Sequence, residues 1–188
     1  VVGVVSDFTG SLHHLPGGGR RAVAFLGGTL GNLIPAERAE FLSGIAAVLD
    51  PGENLILGVG LVIDPAVLVP AYDDAAGVTA QFNLNVLSVL NKQLGANFPL
   101  EDFRHVALWD AENEWIEMRL EALREVSVHI DDLDLEITFA AGEQLRTEIS
   151  AKFRRERVTA ELAAAGFGST CWWTDDEGRF GLTLATAR

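Results

Sequence analysis

The sequence predicts an α/β fold built on a parallel sheet, closed by an antiparallel hairpin and carrying an α+β insertion. Three observations predict it. A strand, a helix and a strand follow one another within residues 22–60; the second of those strands is a continuous apolar run, as in a sheet covered on both faces; and the chain finishes on two strands joined by a polar turn.

The chain opens on Val1-Val2-Gly3-Val4-Val5 before Ser6-Asp7, a β-branched run that reads as a buried strand entered partway, so an upstream part of the protein is expected to be missing. A loop holding His13-His14-Leu15-Pro16 and Gly17-Gly18-Gly19 leads to the strand Ala22-Val23-Ala24-Phe25-Leu26 and the glycine-rich turn Gly27-Gly28-Thr29-Leu30-Gly31-Asn32. Pro35 suits the first turn of a helix along which Phe41, Leu42, Ile45, Val48 and Leu49 recur at helical spacing, until Asp50-Pro51-Gly52 stops it. Residues 54–60 supply the next strand. The crossover between the two strands is expected to be right-handed, with the working side of the sheet beyond the strands' carboxyl ends.

From residue 64 the pattern changes. A loop through Pro65 and Pro70 leads to a helix over residues 78–94, where Val78, Phe82, Val86, Val89 and Leu90 form one apolar face. Residues 106–109 and 115–120 flank the polar turn Asp110-Ala111-Glu112-Asn113-Glu114 as a hairpin, and residues 126–130 and 133–139, split at Asp131-Asp132, suggest another. Residues 156–165 form an alanine-rich helix stopped by Gly166, where a left-handed cap is required. Cys171-Trp172-Trp173-Thr174 and residues 179–187 pair across Asp175-Asp176-Glu177-Gly178 as the terminal hairpin.

Composition narrows the function. The 188 residues are 48% hydrophobic and 22% charged, which excludes disordered and fibrous classes. Fourteen Lys and Arg stand against 27 Asp and Glu, a net charge of -13 that repels phosphate backbones and anionic lipid, so neither nucleic acid nor a membrane is an expected partner. The single cysteine, Cys171, excludes an internal disulfide framework and suits a reducing cytoplasm. His13-His14 has no third ligand at metal spacing, and no metal is expected.

Several strings carry a more specific signal when taken together: Phe25-Leu26-Gly27-Gly28-Thr29-Leu30-Gly31-Asn32-Leu33, Ala71-Tyr72-Asp73-Asp74, residues 78–87, Ile116-Glu117-Met118, residues 147–153 and Trp172-Trp173-Thr174-Asp175. They resemble the histidine-specific α-N-methyltransferases of ergothioneine biosynthesis, enzymes of the class I S-adenosylmethionine-dependent type. The resemblance runs from Val1 to the end. It implies a class I methyltransferase-like parallel sheet that lacks its first strands and the glycine-rich cofactor loop, with residues 1–62 as the later part of the core, 63–153 as a substrate-recognition lobe, and 154–188 as the final helix and hairpin returning to the sheet. It further implies S-adenosylmethionine as cofactor, a small amino-acid substrate, and a monomer when complete.

Carried over position by position, the resemblance puts the cofactor's adenine amino group at Asp7 with Phe8 beside it, and Gly27 along the cofactor. It puts the substrate's amino and carboxylate groups at Asn32, with Tyr72 reaching the carboxylate. Imidazole recognition falls to Glu148 and Ser150, with Met118 packing on the ring. The residue types suit that chemistry. An Asn amide oxygen can accept from an amine while its NH2 donates to a carboxylate, and a Glu and a Ser can satisfy two ring nitrogens. An apolar side chain would strand both, a discrimination that reaches about 10⁴ where buried polar groups are left unpaired.

From the residues alone, Asn32 equally suits a turn, Tyr72 a half-buried packing position, Glu148 and Ser150 the solvent face of a strand, Met118 a core, and Asp7 a helix cap. The chain also departs from the family at Val59-Gly60, Ile63-Asp64, Leu84 and Ala151, where members carry Thr-Asp, Lys-Asp, Arg and Cys. Those changes leave room for two alternatives, an N-methyltransferase for a tryptophan derivative or another amino acid, and a non-catalytic paralogue serving as a binding module.

Overall fold

The computed structural model describes residues 3, 5, 12 and 18–188. The strand expected before Asp7 therefore lies outside the described residues. In chain order the elements are β1 (Ala22–Phe25), α1 (Pro35–Val48), β2 (Asn54–Gly60), α2 (Pro65–Leu68), α3 (Val78–Leu94), β3 (Phe103–Asp110), β4 (Trp115–Ala122), β5 (Val126–Ile130), β6 (Leu135–Phe139), β7 (Gln144–Ala151), α4 (Arg155–Ala164), β8 (Phe167–Thr174) and β9 (Phe180–Ala187). They divide into two compact units, one of residues 1–63 with 150–188 and one of residues 64–149. No helix among the described residues is long and apolar enough to cross a membrane.

The first unit is built on a sheet of order β1-β2-β9-β8. β1 and β2 are parallel, whereas β9 pairs antiparallel with both β2 and β8, so the α/β core closes with a terminal hairpin and the sheet has mixed orientation. On β2, Leu55, Leu57 and Val59 alternate on one covered face opposite Ala185, Thr183 and Gly181 of β9. Gly181 is required there, because a Cβ would lie 2.5 Å from the Trp172 ring. α1 buries Phe41, Leu42 and Ile45, and the Phe41 ring meets Phe25 at 4.8 Å. Gly166 takes φ +97 just beyond α4, the left-handed conformation expected of the residue that stops that helix.

At the start of β2, Glu53 binds the turn before it to the chain before β1. Its carboxylate accepts from the main-chain N–H of Arg21 and Asp50 at 2.9 and 2.8 Å and from the Arg21 guanidinium at 2.6 to 3.0 Å. The Arg21 hydrogen bond is the main reason that its pKa falls to about 2.

The second unit holds a sheet of order β3-β4-β7, the hairpin β5-β6, and α3. Its core is Leu87 with Phe98, Phe103, Phe139 and the inner residues of β4 and β5, and the three phenyl rings lie 5.5 to 6.2 Å apart in tilted and edge-on contacts.

Three expectations need correction. Residues 65–71 are not a loop: Asp64 accepts from Ala66 N at 2.8 Å and caps α2, which continues into a 3₁₀ turn over Val69–Ala71. Asp110 pairs with Trp115, so it ends β3 and the turn that follows is one residue shorter. Four of the five residues of the expected apolar face of α3 are turned outward, with Val78 65% and Phe82 63% exposed and Val86 and Val89 also exposed; Leu90 packs on the core with Leu84 and Leu94, beside the buried Asn83 and Leu87.

Candidate functional site

In the first unit, the turn after β1 presents two of the expected site residues. Gly27 takes φ +102 at the carboxyl end of the strand, and among the described residues a Cβ built there would meet nothing within 4 Å. Main chain left open at that end of an α/β sheet is where a ligand can approach it closely. Asp7 and Phe8 lie outside the described residues.

The 3₁₀ turn Thr29–Asn32 ends on Asn32, which is exposed. Two anchors bracket it. A Cβ on Gly31 would lie 2.7 Å from the Ala151 carbonyl oxygen, so the glycine lets the turn press directly on the end of β7. On the other side, Arg38 donates through Nη1 to the Leu33 carbonyl at 2.7 Å. Its guanidinium is fully buried, paired with both carboxylate oxygens of Glu161 at 3.0 and 3.2 Å, and stacked 5.3 Å over the Phe153 ring.

Ser150 is buried near the end of β7, and the covered Lys152 donates to its Oγ at 2.9 Å. An ammonium only donates, so the serine oxygen is the acceptor in that bond.

The second unit holds Tyr72, Met118 and Glu148. Tyr72 closes the Val69–Ala71 turn, its N–H on the Val69 carbonyl at 2.9 Å and its own carbonyl 2.8 Å from His105 Nε2. Met118 is buried on β4 opposite Ala107. Glu148 is half-buried on β7, and the preceding Thr147 hydroxyl lies 3.0 Å from the Met118 carbonyl and 2.6 Å from Asn83 Oδ1. One residue before Met118, Glu117 is buried. Desolvation opposes its ionisation, but hydrogen bonds from Arg119, Arg146 and Trp115 prevail and hold its carboxyl below the usual range.

The positions that depart from the family have plain places. Val59 is buried in the sheet, a Cβ built on Gly60 would lie 3.5 Å from the Lys152 stem, Leu84 packs on the phenylalanine core, and Asp64 is the cap of α2. Sequence reasoning missed Arg38, Asn83, His105 and Lys152 as supporting residues. The signals were present but faint: an Arg within an apolar helix face, an Asn four residues before a core Leu, a His in the strand after it, and a Lys flanked by apolar residues. Among the described residues, no group of three or more His, Cys, Asp or Glu is placed to hold a metal ion.

A family model described as histidine-specific methyltransferase, SAM-dependent, matches residues 1–187. The chain is 57% identical over 97% of its length to a histidine N-alpha-methyltransferase of Mycolicibacterium smegmatis, and 53% identical over 97% to one of Mycobacterium tuberculosis. It spans 57% of the length of each of these two relatives. An ergothioneine biosynthesis protein 1 of Neurospora crassa is 28% identical over 82% of this chain and 17% of its own length. With the match running through both units, the chain belongs to the histidine-specific, SAM-dependent methyltransferase family.

Proposed function

We propose that the protein carrying this chain transfers methyl groups from S-adenosylmethionine to the α-amino group of L-histidine, as far as the trimethylated betaine hercynine, as a monomeric cytoplasmic enzyme of ergothioneine biosynthesis. The observation that supports this most is the joint presence of Asn32, Tyr72, Met118, Glu148 and Ser150 in a chain 57% identical to a relative named for that activity.

The donor supplies an electrophilic sulfonium methyl. What the chain's own residues contribute is alignment, because a neutral amine held in line behind the methyl carbon needs orientation more than a strong base. Asn32, held between the Gly31 contact and the Arg38 anchor, accepts from the amine and donates to the carboxylate, and the Tyr72 hydroxyl donates to the same carboxylate. Glu148 accepts an imidazole N–H. Ser150, already accepting from Lys152, gives its proton to the other ring nitrogen, and Met118 lies along the ring. Gly27 leaves the main chain open to the donor.

Incubating the full-length protein with S-adenosylmethionine and single amino acids tests this reading. Histidine should gain one, two and three methyl masses, and a protein that leaves histidine unmodified overturns the proposal. Glu148→Ala should raise the KM for histidine far more than the KM for S-adenosylmethionine; equal rises would remove Glu148 from its role. A tryptophan arm belongs in the same assay, although the changes that leave room for that substrate, Val59 and Leu84, are packed within their units.

A further inference from the structure

Asn83 is 1% exposed, and its primary amide is fully engaged. Nδ2 lies 2.9 Å from His105 Nδ1 and 3.1 Å from the Arg119 carbonyl oxygen, while Oδ1 accepts from Thr147 Oγ1 at 2.6 Å. These partners assign every proton. The Arg119 carbonyl can only accept, so the NH2 faces both it and the ring, and His105 Nδ1 is the acceptor. The ring proton is then on Nε2, 2.8 Å from the Tyr72 carbonyl, which also can only accept. At the far end, the one Thr147 hydroxyl proton is shared between Asn83 Oδ1 and the Met118 carbonyl, which lies 3.0 Å from Oγ1.

The path of hydrogen bonds therefore runs from the main chain of Tyr72, through His105 and Asn83, to Thr147 and the main chain of Met118. Its ends are two of the expected substrate contacts, and Thr147 directly precedes the third, Glu148. It crosses the turn after α2, β3, α3, β7 and β4.

We propose that His105 is a positioning residue of the histidine site, tying the Tyr72 turn to the strands that carry Met118 and Glu148. The inference rests on the substrate assignment made above. Tyr72 has its N–H on Val69 and its carbonyl on His105, so both main-chain groups are engaged and the direction in which its side chain leaves the turn is set. Losing the His105 bond removes the donor that holds the direction of that carbonyl. The hydroxyl at the end of the side chain then swings with it, and a misplacement of about 1 Å at a reacting centre can cost roughly 10²-fold.

Two variants of the full-length protein separate positioning from simple packing. A Gln amide nitrogen reaches the place of the ring Nε2, so His105→Gln keeps the donor to Tyr72. An Asn amide reaches only the place of Nδ1, so His105→Asn keeps a partner for Asn83 but removes the ring N–H donor to the Tyr72 carbonyl. The KM for histidine should stay within about 2-fold of the parent in His105→Gln and rise about 10-fold in His105→Asn, the size expected for one lost hydrogen bond. The KM for S-adenosylmethionine should move in neither. Equal histidine KM values in the two variants, or parallel changes in both KM values, overturn the proposal; where His105→Asn melts below the assay temperature, His105→Ala replaces it with the same expectation. Tyr72→Phe, run alongside, tells the two readings apart. If it raises the histidine KM while the His105 variants are silent, only the positioning role falls; if it is silent, the carboxylate role of Tyr72 falls; and a parent inactive on histidine overturns both.

Discussion

α1 and α3 solve the same problem in opposite ways. α1, in the first unit, covers its apolar residues Phe41, Leu42 and Ile45 and adds one buried charge, Arg38, neutralised by Glu161 on α4. α3, in the second, turns Val78, Phe82, Val86 and Val89 outward and covers a neutral polar residue, Asn83, beside Leu87. A helix in the first case is placed by area: the face with the most apolar surface goes in. In the second, Leu84, Leu87, Leu90 and Leu94 also go in, but that side additionally covers an amide, and the polar partners that satisfy it adjoin the expected substrate contacts.

The largest test of that contrast is Phe41→Ala. Phe41 is 4% exposed and packs on Phe25, so its truncation should cost about 3–5 kcal/mol, read from the shift of the denaturant midpoint. Next comes Asn83→Leu, which keeps the branching and heavy-atom count but is more apolar. If apolar area alone placed α3, this change would stabilise the protein; because it takes the donor from the His105 ring nitrogen and one bond each from the Arg119 carbonyl and the Thr147 hydroxyl, it should instead cost about 2 kcal/mol.

A pH-dependent difference between the helix starts follows. α3 begins under Asp74, which accepts from Thr79 N at 2.8 Å and Val78 N at 3.1 Å, and the bonds from Thr79, side chain first, then main chain, lower its pKa from 3.8 to about 2. A lowered carboxyl stabilises above its ordinary value and loses that contribution as the pH falls through the folded one. Protection of the Val78 and Thr79 amides, measured relative to their intrinsic exchange rates, should therefore fall as the pH drops from about 4 toward about 2, and Asp74→Asn should flatten the dependence. The smallest effect belongs to Phe82→Ser, within about 0.5 kcal/mol of the parent. A loss as large as that of Phe41→Ala would mean that the outer face of α3 is covered, and would erase the contrast.

This pair of helices also marks how far the sequence could be read. β2, α1, the hairpins and the stop at Gly166 were legible because each depends on neighbours in the chain: alternation, helical spacing, and a residue that tolerates a left-handed turn. The buried side of α3 was not, because the partners that favour Asn83 over Phe82 sit 22 and 64 residues away at His105 and Thr147. α2 was hidden by reading Pro65 as a loop signal when, after Asp64, it is a helix start. The expected contacts at Asn32, Tyr72, Met118, Glu148 and Ser150 came from the resemblance of short strings. Their supports did not, since Arg38 meets Glu161 across 123 residues and Gly31 meets Ala151 through the main chain, where no side-chain pattern records it.

The path from Tyr72 to Met118 has one more property. In the tautomer its partners select, none of its members carries a formal charge: an imidazole, a primary amide, a hydroxyl and main-chain carbonyls. Mobile ions have nothing there to screen, unlike the exposed Arg104–Glu121 pair on the same strands. The alignment of the Tyr72 turn should thus persist unchanged from dilute buffer to concentrated salt, giving a site whose geometry is indifferent to the ionic strength around a strongly acidic protein.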